Sequence, residues 1–291
     1  MADPIFSAVI LASQPAVHLE AALRSVSGQD YGAMEIVAVQ RSSGDAAALL
    51  RRLLEAPEVR ARVGRIVTVE AGETCDRRTA IDAGVRESRG DFISVVGPDD
   101  LLATPRVSRL LQACAGRHAE LAFSRVQPLA DGQQASNEEV EHVYAVQDDI
   151  EVFPTVGFAL LRQDCVLATG NLVFSRRLYE RLGGFRASEV SEAWDFALRS
   201  ATMAEPAFVP EPLFTYRLHG RARFAKRQAM RASERDAVVR RYVFLCRNRP
   251  VDNPIAPSPA WGPLFESFLK GTLSTGVDNR RKGVGEASST D

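Results

Sequence analysis

The residues equipped for chemistry stand in small groups along the 291-residue chain. Asp99 and Asp100 follow the apolar run Phe92–Val96, and Glu192 and Asp195 fall one helical step apart. Arg77 and Arg78 open a helical pattern, Gln40 and Arg41 follow the apolar run Glu35–Val39, and His219 closes Tyr216-Arg-Leu-His219. Carboxylates take up protons or hold hard cations. Arginine pairs with phosphate, and glutamine can hydrogen-bond a base edge. The cysteines offer less. Cys75, Cys114, Cys165 and Cys246 are scattered, without a Cys-x-x-Cys pair or a histidine at metal-ligand spacing, which argues against structural zinc or a disulfide framework and for a reducing compartment.

These groups punctuate an alternation of short apolar runs with helical patterns. Phe6–Leu11, Glu35–Val39, Arg65–Val69 and Phe92–Val96 read as strands; Leu19–Val26, Ala46–Leu54 and Arg77–Ser88 read as helices. Strand runs that are apolar on consecutive positions predict a parallel sheet covered on both faces, with ligands beyond its carboxyl ends. Leu121–Ser124, Ala207–Val209 and Leu213–Tyr216 read as further short strands, the polar stretch 131–149 as a loop, and Ala225–Leu245 as one long helix. Prolines 250, 254, 257 and 259 break the pattern, and from Gly276 a disordered tail is expected. With 45% hydrophobic and 25% charged residues, the chain can bury a sizeable core. Its net charge of -1 hides an asymmetry: residues 1–220 hold 22 Lys/Arg against 30 Asp/Glu, whereas 221–249 hold ten against two. The apolar start, Ile5–Ala12, is too short to cross a bilayer and lacks a basic leader. A cytoplasmic protein is therefore expected.

Three stretches in order carry a resemblance. Arg89-Gly-Asp-Phe-Ile-Ser-Val-Val-Gly-Pro-Asp-Asp-Leu-Leu102, Gly170-Asn-Leu-Val-Phe174 running on to Gly183-Gly-Phe185, and Glu192-Ala-Trp-Asp195 with Pro210-Glu-Pro-Leu-Phe-Thr-Tyr-Arg-Leu-His-Gly220 resemble the motifs of family 2 glycosyltransferases. The resemblance spans roughly residues 5–220. It implies the GT-A fold, a Rossmann-like α/β architecture with a mixed sheet flanked by helices, followed here by a C-terminal helical extension. The domain division it suggests is 1–220 as the transferase-like unit, 221–249 as a basic amphipathic helix, and 250–291 as a Pro-rich segment and tail. The activity it implies is inverting transfer of a sugar from a nucleotide-sugar donor to a glycan or lipid-linked acceptor, in cell-surface polysaccharide or glycoconjugate synthesis. The leaving diphosphate then needs a divalent cation, Mn²⁺ or Mg²⁺, or fixed positive charges, and the attacking hydroxyl needs a carboxylate.

Carried over residue by residue, the resemblance makes Asp99 the metal-ligand candidate, with His219 as a second metal or diphosphate contact. Arg77 faces the diphosphate, and Ala12, Ser13, Gln40 and Arg41 line the nucleotide side. Three acids of the family pattern are replaced, by Gly97, Arg41 and Ala193. The last position is the family's general base, which leaves Glu192 and Asp195 as candidates, and leaves a weak or noncatalytic binding homologue as the alternative. The basic helix 221–249 admits two readings, packing an apolar face with arginines solvated, or peripheral contact with anionic lipid at the inner face of a membrane. Nucleic-acid binding is not expected, because Tyr242 and Phe244 fall in the apolar stretch of this helix.

Overall fold

The computed structural model describes residues 3–12, 17–41, 45–72, 74–130, 137–188, 190–218 and 221–282. Its centre is a sheet in which β1 (Phe6–Ala12), β2 (Met34–Gln40), β3 (Arg65–Glu70) and β4 (Phe92–Val96) run parallel. Alternate residues of β1 explain its unbroken apolar run. Val9 and Leu11 enter one core, while Phe6, Ala8, Ile10 and Ala12 enter another on the opposite face. Helices α1 (Leu19–Ser27), α2 (Asp45–Leu54), α3 (Pro57–Arg60) and α4 (Arg77–Glu87) cover the two faces.

Beyond β4 the parallel expectation gives way to a mixed sheet. Strand β5 (Leu101–Leu102), helix α5 (Arg106–Arg117) and strand β6 (Leu121–Ala130) come next in the chain. Helices α6 (Asn137–Asp148) and α7 (Val156–Arg162) lead to β7 (Leu172–Ser175), followed by α8 (Arg176–Leu182), α9 (Glu192–Ser200) and β8 (Ala207–Leu218). The spatial order is β3-β2-β1-β4-β7-β6-β8-β5, with β7 antiparallel to both β4 and β6. The two short strands expected at 207–216 are one long β8 whose pairing with β6 shifts register near Ser124 to Val126. The polar stretch expected as a loop contains α6, because Val143, Val146 and Gln147 face inward. The Gln147 side chain accepts from Val126 N and donates to Cys165 O, so it replaces a missing strand partner.

Helix α10 (Arg221–Asn248) and helix α11 (Pro263–Lys282) complete the chain, and α11 runs into the tail expected to lack structure. Val238, Val239, Tyr242 and Cys246 of α10, with Phe265 and Leu269 of α11, enter the same core as Val9 and Phe174. Helical spacing of 238, 242 and 246 makes that stripe. The segments after residue 220 are therefore part of the packed body. No helix among the described residues is long and apolar enough to cross a membrane.

At the amino ends of the strands, the buried Glu35 carboxylate gathers the Ser7 hydroxyl at 2.5 Å, the Arg89 N–H at 2.5 Å and the Arg65 guanidinium at 2.6 Å. Burial alone would raise its pKa, but these donors together hold it below the ordinary carboxylate value. Gly90 is pressed against this cluster: a Cβ there would sit 2.2 Å from Ser7 Oγ and 2.7 Å from Ser7 N. Gly90→Ala is expected to cost about 1–3 kcal/mol through overpacking, read from the urea midpoint. An unchanged midpoint would show that the strand ends are looser than this packing implies.

Candidate active site

A cleft of about 570 Å³ opens beyond the carboxyl end of β4. It is lined by the turn Gly97–Asp100, by Ala168–Gly170, Glu192 and Ala193, and by Tyr216, Arg217, Lys226, Arg227 and Met230. Arg77 enters from the first turn of α4, which Asp76 caps by accepting the Thr79 N–H at 2.9 Å.

The turn is built around glycines. Asp100 Oδ2 accepts the Gly97 N–H at 2.7 Å and tucks beneath Gly170, where any Cβ would lie 2.0 Å from that oxygen. A Cβ on Gly97 would stand 3.2 Å from both Asp99 Oδ1 and Asp100 Oδ2. The two carboxylates thus converge on the space that a side chain at 97 would occupy. Burial pushes the Asp100 carboxyl up to about 6 against the Gly97 N–H, with the Asp99 charge adding to the rise and Arg77 and Arg106 opposing it. Arg106 is itself buried and lies over the Phe214 ring. It donates to Ser124 Oγ at 2.8 Å and to Gly170 O at 3.2 Å; burial draws its pKa down to about 9, with Asp100 opposing. Asn171 joins that network through Ser124 O at 2.9 Å and Val166 O at 3.1 Å, and so fixes the turn that carries Thr169.

Glu192 begins α9 at the cleft wall. Its Oε1 accepts from Arg77 Nε at 2.5 Å and from Thr169 Oγ1 at 2.8 Å. Asp195 does not line the cleft. It is 1% exposed and lies 2.7 Å from Arg199, 3.5 Å from Arg241 and 3.7 Å from Arg186. Arg199 also donates to Leu182 O at 3.0 Å and Gly184 O at 2.9 Å, the carbonyls around the Gly-Gly turn. The reading of Asp195 as a base is corrected on this geometry: its oxygens are engaged by guanidinium groups inside the core.

Of the other expected residues, Arg77 and Asp99 line the cleft. Ala12, Gln40 and Arg41 sit at the carboxyl ends of β1 and β2 outside its lining, and Arg41 donates to Cys75 O at 2.8 Å, tying β2 to the approach to α4. Ser13 and His219 lie outside the described residues. Sequence reasoning missed Thr169, Arg217, Lys226 and Arg227. Gly170-Asn171 was the available signal for the first; the excess of arginine in α10 carried no indication of which turn meets the cleft.

The residues fit a divalent cation only together with a ligand. Asp99 and Asp100 share one turn, and a hard cation is often held by one or two carboxylates plus phosphate oxygens and water. Among the described residues no group of three or more His, Cys, Asp or Glu is arranged to hold a metal unaided.

No protein-family model and no curated protein matches the chain. Solved structures match its backbone. Staphylococcus aureus TarS aligns over 92% of this chain with a TM-score of 0.62 at 12% identity, and the chain spans 43% of that protein's length. The mannosyltransferase PcManGT from Pyrobaculum calidifontis, in complex with GDP-Man and Mn²⁺, aligns over 99% of this chain and 77% of its own, with a TM-score of 0.61 at 17% identity. TarS 1-349 in complex with UDP aligns over 99% and 94%, with a TM-score of 0.55 at 11% identity. The fold is GT-A-like.

Within this GT-A-like fold, Asp195→Asn is expected to cost about 3–5 kcal/mol, because it leaves a buried Arg199 uncompensated; chemical denaturation measures it. Asp100 gives a pH signature. Burial favours the neutral acid, so the folded chain binds this proton more tightly than the unfolded chain, and stability falls as pH rises from about 4 towards 6, then levels. Melting temperatures across that range should show the slope in the native chain and lose it in Asp100→Asn. Identical slopes would place the titration elsewhere.

Proposed function

We propose that the chain is an inverting glycosyltransferase of family 2, moving a sugar from a nucleotide-sugar donor to an acceptor hydroxyl in polysaccharide or glycoconjugate synthesis. The observation that carries this reading is the gathering in one cleft of Glu192, paired with Arg77, and the carboxylates Asp99 and Asp100 at the end of β4. The nucleotide-sugar and UDP complexes among the fold's neighbours add support for a nucleotide donor.

In the proposed reaction the acceptor oxygen bonds to the anomeric carbon as the bond from that carbon to the diphosphate oxygen breaks. The electron pair departs with the nucleoside diphosphate, and the acceptor's proton passes to Glu192. A single displacement inverts the anomeric centre. Thr169 and Arg77 hold Glu192 Oε1 and so direct its carboxylate. A Mg²⁺ or Mn²⁺ held by Asp99 and Asp100 would supply charge stabilisation to the leaving group.

One feature favours a second reading. Ala193 stands at the family's base position, and Arg77 occupies the neighbouring Glu192 at 2.5 Å, an arrangement suited to a binding homologue with slow or no transfer. Calorimetry with UDP-, GDP- and dTDP-sugars, paired with mass-spectrometric detection of product on a panel of glycan and lipid-linked acceptors, separates the two. For an enzyme, Glu192→Gln should lower turnover about 10²–10⁴-fold with donor affinity retained. Donor binding with no product on any acceptor favours the binding homologue, and failure to bind every donor overturns both.

A further inference from the structure

The amino-terminal half of α10 lies outside the region of family resemblance, yet it forms one wall of the cleft through Lys226, Arg227 and Met230. It is attached differently from the rest of its helix. The carboxyl-terminal half buries Val238, Val239 and Tyr242 in the core. The amino-terminal half is held by polar contacts: Arg231 with Asp164 at 3.3 Å and Leu167 O at 3.1 Å, and Arg235 with Arg162 O at 3.3 Å. Phe224 meets His142 edge-on, and Arg227 lies 6.0 Å from the centre of the Tyr216 ring.

Charges of both signs line the cleft. Asp99, Asp100 and Glu192 lie on the β4 and α9 sides, and Arg77 is paired with Glu192. Lys226 and Arg227 line the same cleft from α10, with Lys226 exposed to solvent and Arg227 half-buried. An anion entering the cleft past its carboxylates therefore finds two cations supplied by α10.

Resting on the transferase reading, we propose that Lys226 and Arg227 of α10 clamp the diphosphate of the donor and neutralise the charge that develops as it leaves. Arg227 offers a planar fork for phosphate oxygens, and Lys226 offers a mobile point charge at the solvent edge. Such fixed charges act where the bond to the diphosphate breaks, and they require no metal ligand at position 97. Because this half of α10 is held by polar contacts, a bound diphosphate also strengthens its attachment to the cleft.

The test is calorimetric titration of the full chain with uridine, UMP and UDP, and with the guanosine series, in EDTA and again with Mn²⁺. The native chain should gain affinity with each added phosphate even in EDTA. Lys226→Ala and Arg227→Ala should each lower diphosphate affinity about tenfold while leaving the nucleoside unaffected, and Lys226→Arg should restore most of the loss. Diphosphate affinity unchanged in both alanine variants, or an equal loss for nucleoside and diphosphate, overturns the clamp. A native chain that binds none of the nucleotides overturns instead the transferase reading on which the clamp rests. Circular dichroism melts confirm that each variant is folded.

Discussion

Asp195 is the pivot of the carboxyl-terminal half. A carboxylate with 1% exposure is tolerated only when opposite charge surrounds it, and here Arg199, Arg186 and Arg241 approach from three segments of the chain. Arg199 extends the grip to the carbonyls of Leu182 and Gly184. One buried charge thereby joins α9 to the Gly-Gly turn on one side and to α10 on the other. Glu192, one turn earlier on α9, inherits its position at the cleft from that joint. The acid that holds the site in place is distinct from the acid that faces the cleft.

The cleft itself is arranged by charge and by the absence of side chains. Gly97 and Gly170 leave room for the Asp100 carboxyl to fold back onto the turn, so two acids converge on the space that a side chain at residue 97 would occupy. Arg106 lies beneath them, fully buried, and its hydrogen bonds to Ser124 and Gly170 connect the floor of the cleft to the sheet. The same network positions Thr169 against Glu192. Cations of α10 line the same cleft.

Most of the architecture was legible in the sequence because consecutive apolar runs and helical spacing report burial directly. The strands β1 to β4 and the helix α10 fall where the pattern puts them, within a few residues. Polar α6 escaped because its inward contact is made by Gln147, which periodicity counts as surface. Arg77, Asp99 and Glu192, which the motifs single out, line the cleft. Asp195, the second candidate base, is buried beside Arg199, a placement that its three-residue spacing from Glu192 does not reveal. Lys226 and Arg227 were hidden among ten Lys/Arg residues within 221–249, whose composition is uniform while their surroundings are not.

The split attachment of α10 has a consequence for the order of events during synthesis. The cleft draws residues from Arg77 to Met230, and the helix that supplies its last wall also supplies Val238 and Tyr242 to the core. A chain emerging from the ribosome through residue 220 would hold every motif of the transferase resemblance, yet would still expose apolar surface and lack one side of its site. Formation of the core and completion of the cleft therefore await the same late segment, so the cleft is not complete before the interior is sealed.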